Sequence, residues 1–131
     1  MAAGYSHTVA VRTDGTLWTW GSNDQGQLGN SSPTSKNVPI KMGTDNDWET
    51  VAAGWGHTVA LKTDGSLWAW GYGGLGQIGN GSFTTNFNAP QQIGIAKNWQ
   101  TIVTGHGHTA ALKTDGSLWA WGNNFSGQLG I

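Results

Sequence analysis

Residues 54–71 read GWGHTVALKTDGSLWAWG, and nearly the same block returns at residues 105–122 as GHGHTAALKTDGSLWAWG. The first copy along the chain, GYSHTVAVRTDGTLWTWG, occupies residues 4–21. Along the chain, the second and third copies agree at 16 of 18 positions, and the first and second at 12 of 18. A unit that returns about every fifty residues predicts a repeat protein, in which each unit buries its apolar face only against its neighbours.

Each unit divides into short strands rather than helices. The clearest strand alternates between two faces, with His57, Val59 and Leu61 on one of them. Asp64-Gly65 then favours a hairpin turn, and Pro90 restricts the last strand to a sheet edge. The second copy therefore predicts four strands, at Trp48 to Ala53, His57 to Lys62, Ser66 to Trp70 and Ala89 to Ile93.

Four short antiparallel strands per unit, together with a Trp-Gly motif, predict an all-β chain of β-propeller blades, two complete and one partial. A solenoid is the competing architecture. The predicted repeats are residues 1–47, incomplete at the N-terminus, residues 48–98, and residues 99–131, truncated at the C-terminus. Too few blades are present to close a ring, so unpaired strand edges are expected at both ends. We expect either a longer propeller or several copies that complete one another.

The composition excludes several classes of partner. Charged residues make up 10% of the chain and its net charge is −1, so neither nucleic acid nor an anionic membrane is an expected partner. The chain has no cysteine, which leaves the redox compartment undecided, and we expect no signal peptide ahead of the first repeat. Nothing in the sequence points to a cofactor.

The motifs resemble those of a known family. Gly-x-x-His-Thr is followed by Thr-Asp-Gly-(Ser/Thr)-Leu-Trp-x-Trp-Gly, and then by Gly-Gln-(Leu/Ile)-Gly at residues 26–29, 76–79 and 127–130. This order is similar to the regulator of chromosome condensation repeat, a β-propeller of about seven blades. The resemblance implies a protein-binding scaffold or, as an alternative, nucleotide exchange on a small GTPase. The chain has no basic tail and no inserted wedge of the kind that exchange activity implies.

Histidines recur at one position of every copy, as His7, His57 and His108. In a closed ring they would form a circle of imidazoles, so metal binding or general-base chemistry is one interpretation. The interpretation that we favour is structural, because one histidine per blade can bond a backbone or threonine group of the neighbouring blade. No metal ligand and no catalytic residue is assigned.

Tryptophans occur in pairs two residues apart and therefore lie on one face of a strand. An aromatic binding platform is possible, but packing between blades explains such pairs better. Trp48 and Trp99 stand in a polar context and are expected to cover a blade edge. The paired residues are Trp18, Trp20, Trp68, Trp70, Trp119 and Trp121.

Residues that differ between otherwise similar copies predict where binding specificity lies. Loops at corresponding positions gather on one face of a propeller, and these would form a rim suited to protein or glycan contacts. Neutral drift in exposed loops is the alternative. The predicted rim consists of Tyr5, Trp55, His106, Asp24, Tyr72, Leu75 and Phe125. The sequence thus favours a non-enzymatic scaffold that binds protein, including other copies of itself.

Overall fold

The computed structural model describes residues 1–131 as eleven β-strands without a helix. No helical segment of the length and hydrophobicity needed to cross a membrane is present. The strands are β1 (Ala2–Ala3), β2 (His7–Val11), β3 (Leu17–Gly21), β4 (Lys36–Lys41), β5 (Trp48–Ala53), β6 (His57–Lys62), β7 (Leu67–Gly71), β8 (Phe87–Gln92), β9 (Trp99–Thr104), β10 (His108–Lys113) and β11 (Leu118–Gly122).

The strands form three antiparallel sheets, which we call blade 1 (β1–β4), blade 2 (β5–β8) and blade 3 (β9–β11). Neighbours in the chain are neighbours in each sheet, so every blade is a simple meander. The predicted class is confirmed: two blades have four strands and the third has three. In blade 1 the first strand is only Ala2–Ala3, which pairs with β2. The repeat boundaries at 47/48 and 98/99 stay a prediction.

The turns and edges follow from local chemistry. Strand β7 begins at Leu67 and not at Ser66, because the Ser66 amide and hydroxyl both donate to Asp64 Oδ1, at 2.9 and 2.6 Å. Gly65 supplies the positive φ of that turn, +83°. Strand β8 lies at the sheet edge and contains Pro90, as expected, although it begins earlier, at Phe87.

The hydrophobic cores lie between the blades. We call the side of a blade that meets the next blade its forward face, and the opposite side its rear face. Leu17 on the forward face of blade 1 packs in one cluster with Ala60 and Trp70 on the rear face of blade 2. Leu67 on the forward face of blade 2 packs in a second cluster with Ile102 of blade 3. Each core therefore needs two blades, as a repeat protein requires.

The tryptophan that opens each strand β5 and β9 belongs to these cores. Trp48 is 3% exposed and Trp99 is 9% exposed, so both are buried at the start of an edge strand. The Trp48 ring meets Trp68 and Trp70 edge-on, at centroid distances of 6.1 and 5.9 Å. Edge-on contacts are favourable between aromatic rings. Here they place the Trp48 ring against the rear face of its own blade.

Candidate functional site

Four residues connect blade 1 to blade 2 through a chain of hydrogen bonds, which we call the relay. The Thr58 hydroxyl donates to the Gln27 carbonyl at 2.8 Å, and Trp70 Nε1 donates to the same carbonyl at 3.0 Å. His7 Nε2 lies 2.9 Å from Thr58 Oγ1. Since the single hydroxyl proton is already committed to Gln27, the Thr58 oxygen accepts from His7 Nε2–H.

The relay recurs between blades 2 and 3 with nearly the same geometry. His57 Nε2 lies 3.1 Å from Thr109 Oγ1, and the Thr109 hydroxyl donates to the Gln77 carbonyl at 2.9 Å. Trp121 Nε1 donates to that carbonyl at 3.0 Å. Each relay takes its histidine and its carbonyl from one blade, and its threonine and tryptophan from the next. It therefore holds two blades in register.

Burial keeps the relay histidines neutral. Removal from water lowers the pKa of His7 to about 4, and that of His57 to about 3. With Nε2 acting as the donor, Nδ1 of each ring is an acceptor, and it has no hydrogen-bond partner in either residue. No group of three His, Cys, Asp or Glu side chains is placed to hold a metal ion. In this arrangement each histidine donates a hydrogen bond to a threonine of the next blade.

The Gly-Gln-x-Gly turn is shaped to receive the tryptophan of the following blade. Gly29 has a φ of +74°, and a Cβ there would stand 2.6 Å from Trp70 Nε1. Gln27 closes the turn, because its side-chain Oε1 accepts from the Gln25 amide at 2.8 Å. Glycine is thus required at residue 29 both for its backbone conformation and for the close approach of an indole ring.

Variable residues of three blades meet in a row of rings. Trp55 stacks on His106 with a centroid distance of 5.7 Å and lies 6.5 Å from Tyr5. Tyr72 meets Trp55 edge-on at 5.7 Å. Neighbouring loops are tied by backbone bonds, such as the one from the Trp55 amide to the His106 carbonyl at 2.9 Å. We call these four residues, Tyr5, Trp55, Tyr72 and His106, the aromatic strip.

Two open hollows of about 300 Å³ each flank Trp55. The first lies between Tyr5 and His106, over the backbone of three blades. The second is lined by Tyr72 and Leu75, together with glutamine side chains. Five of the seven residues predicted for the rim line these hollows. The other two, Asp24 and Phe125, line neither, and Phe125 is 88% exposed.

The structure shows a lysine between two tryptophan rings, an arrangement that was not predicted from the sequence. The Lys62 ammonium lies 4.8 Å from the Trp48 ring centroid and 4.7 Å from that of Trp68. Blade 3 repeats the arrangement at the same distances. The signal was available as a basic residue at one position of every copy: Arg12, Lys62 and Lys113. Cation–π contact anchors the basic side chain along the tryptophans of its own blade.

The repeat pattern matches a described family twice. The family described as "Regulator of chromosome condensation (RCC1) repeat" matches residues 14–61 and 64–112. A second description under the same name matches residues 48–77 and 99–128. The first pair of matches begins near an Asp-Gly turn in one blade and ends in the second strand of the next blade. A family repeat therefore crosses the contact between two blades.

Curated relatives cover the whole chain. The Ultraviolet-B receptor UVR8 of Arabidopsis thaliana is 33% identical over 134 residues, which is 100% of this chain and 30% of the receptor. The X-linked retinitis pigmentosa GTPase regulator homolog of Caenorhabditis elegans is 32% identical over 131 residues, 100% of this chain and 6% of that protein. The chain thus spans less than a third of the length of either relative.

The fold also matches a solved structure. Prp20p from Saccharomyces cerevisiae superposes with a TM-score of 0.84 and 22% identity, over 98% of this chain and 34% of that chain. At that identity the likeness concerns the fold alone. With family matches over most of its length and the motifs in order, the chain belongs to the regulator of chromosome condensation (RCC1) repeat family and forms part of a β-propeller.

Proposed function

We propose that this chain is a non-enzymatic protein-binding scaffold whose partners include other copies of itself. The observation that carries the proposal is the open forward face of blade 3. Leu118 on that face is 74% exposed, whereas Leu67, at the same position of blade 2, is fully buried. Val103, which lines the same small hollow as Leu118, is 57% exposed. Exposed apolar surface of this kind marks a contact site.

Self-association is tested by sedimentation of the chain across a range of concentrations. We expect a mass of at least two chains of 13.8 kDa. Leu118→Lys places a charge on the open face and should yield the mass of one chain. Ile95→Lys is the matched control, because Ile95 is 94% exposed but lies in a connecting turn. A wild-type chain that stays monomeric at every concentration would refute self-association.

The aromatic strip is the surface that we propose for a different protein. Its rings are presented side by side, with Tyr5 77% exposed. Rigid aromatic side chains next to hollows supply large contact area at low cost in conformational entropy. The Gln25 amide beside the second hollow offers a polar contact that would orient a peptide.

A random peptide library displayed on phage provides a probe for this surface. We expect selected peptides to lose binding in Trp55→Ala and to retain it in Phe125→Ala, an exposed aromatic residue that lines neither hollow. Circular dichroism of both variants checks that the fold is intact. Selected peptides that bind both variants equally would place the contact surface elsewhere.

Nucleotide exchange is the second candidate, favoured by the relatives. One is a homolog of a GTPase regulator, and Prp20p has binding properties toward Gsp1p and histones. The test is the rate at which a small GTPase releases labelled GDP with and without the chain. Acceleration would favour exchange, and an unchanged rate would favour the scaffold alone.

A further inference from the structure

We propose that the forward face of blade 3 docks on the rear face of blade 1 in a second copy, and that the contact completes a third relay. In this relay one chain supplies His108 and the Gln128 carbonyl. The other chain supplies Thr8 and Trp20. The inference rests on the proposed self-association and adds its direction and its contacts.

The hydrogen-bonding groups on the two open faces are complementary. The Thr8 hydroxyl and Trp20 Nε1 form no hydrogen bond within the chain, although their counterparts in blades 2 and 3 do. On the other face His108 Nε2 and the Gln128 carbonyl are equally without partners, whereas His57 and Gln77 are bonded. The donors on one face match the acceptors on the other.

The apolar surfaces agree with this pairing. A small hollow on the forward face of blade 3 is lined mainly by apolar side chains, among them Val103, Leu112 and Leu118. On the rear face of blade 1, Trp20 is only half-buried, whereas its counterpart Trp70 is fully buried under blade 1. Both faces therefore carry apolar side chains like those that form the cores between blades inside the chain.

The hairpin turns also support a forward-to-rear contact. A Cβ at Gly65 in blade 2 would stand 2.1 Å from the Lys97 carbonyl oxygen in the segment leading to blade 3. At Gly116, the same position in blade 3, no heavy atom lies within 4 Å. Gly116 keeps the positive φ of its hairpin turn, +86°, and the space that a following segment fills at Gly65 is open beside it.

Contacts between like faces would not repeat the relay. Two forward faces would lack its threonine and tryptophan, and two rear faces would lack its histidine and carbonyl. A forward-to-rear contact is heterologous, and repeated contacts of that kind close a ring when the rotation permits. With three sheets per chain, two copies contribute six, within the range of about four to eight blades known for propellers.

Disulfide trapping tests this direction because the chain has no cysteine of its own. Within the chain, a Cβ at Gly56 would stand 3.7 Å from Gln25 Cβ across the contact between blades 1 and 2. That distance is close to the disulfide mean of about 3.8 Å. At the proposed contact the corresponding residues are Ser6 of one copy and Ser126 of the other, both exposed.

The experiment oxidises Ser6→Cys chains, Ser126→Cys chains and an equimolar mixture of the two. We expect a linked pair of chains in the mixture and none in either variant alone. The double variant Gln25→Cys/Gly56→Cys is the positive control, because it should close a disulfide within one chain. A mixture without the link, in a protein whose mass shows assembly, would overturn the direction while leaving self-association intact. Linked pairs in one variant alone would overturn it too.

A second variant probes the relay itself. Trp20→Phe removes the indole N–H together with part of the ring, and should weaken self-association by at least the two- to tenfold, roughly, that one hydrogen bond contributes. Trp18→Phe is the control, because Trp18 Nε1 already donates to Thr16 in its own blade at 3.0 Å. Equal effects of the two variants would contradict a relay at the contact between copies.

Discussion

Blades 2 and 3 contain the same ten residues, KTDGSLWAWG, at 62–71 and 113–122. In blade 2 this segment is covered on both sides, and Leu67 is fully buried. In blade 3 its forward side is open, and Leu118 is 74% exposed. Identical sequence thus has a different environment according to its neighbour. Stability in this chain is a property of contacts between blades more than of single blades.

The largest difference is expected for the leucine of this segment. Leu67→Ala should lower the free energy of unfolding by about 2–5 kcal/mol, because it leaves a cavity in the core between blades 2 and 3. Leu118→Ala, at a dilution where the chain is monomeric, should change it by about 0.5 kcal/mol or less. Urea unfolding followed by tryptophan fluorescence measures both values. Equal losses would contradict the contrast between the two blades.

The second prediction concerns acid, which should weaken the contacts between blades. His7 and His57 have folded pKa values of about 4 and about 3, below the ordinary value, so the unfolded chain binds protons first as pH falls. The free energy of unfolding therefore has its full value above about pH 6.5. Below that pH it decreases, by about 2 kcal/mol per histidine at pH 5.

Urea unfolding between pH 7 and pH 5 checks this slope. His7→Gln keeps a side chain that can donate to Thr58, and it should remove about half of the pH dependence. A wild-type stability that stays flat over this range would show that the buried imidazoles do not control the acid response.

A smaller difference is expected for the threonines of the relay. Thr109→Val removes the partner of His57 and one donor to the Gln77 carbonyl, which should cost about 1–2 kcal/mol. Thr8→Val is the matched control, because the Thr8 hydroxyl has no partner within the chain. Thermal unfolding of the dilute protein compares them. A cost at Thr8 equal to that at Thr109 would remove the relay as an explanation.

The strands and their faces could be predicted because they depend on short-range pattern. The alternation of His57, Val59 and Leu61 and the Asp64-Gly65 turn are local signals, and both led to the observed meander. The edge position of Pro90 followed from its missing N–H.

Contacts across blades could not be read from the sequence in the same way. Trp48 stands among polar residues, yet its ring is covered by Trp68 and Trp70, which come some twenty residues later. The Gln27 carbonyl accepts two bonds from the next blade, and a backbone acceptor leaves no trace in sequence. Asp24 and Phe125 share the loop pattern of the rim but point to no common hollow, because loop conformation decides where a variable residue lies.

Hydrogen exchange of the Trp20 indole proton, followed by NMR on a chain with labelled tryptophans, tests the completed relay most directly. Under concentrated conditions we predict that this proton exchanges about as slowly as that of Trp70, which is bonded inside the chain at 3.0 Å. On dilution to the monomer it should exchange rapidly while Trp70 stays protected. Rapid exchange of the Trp20 proton at every concentration would contradict the account.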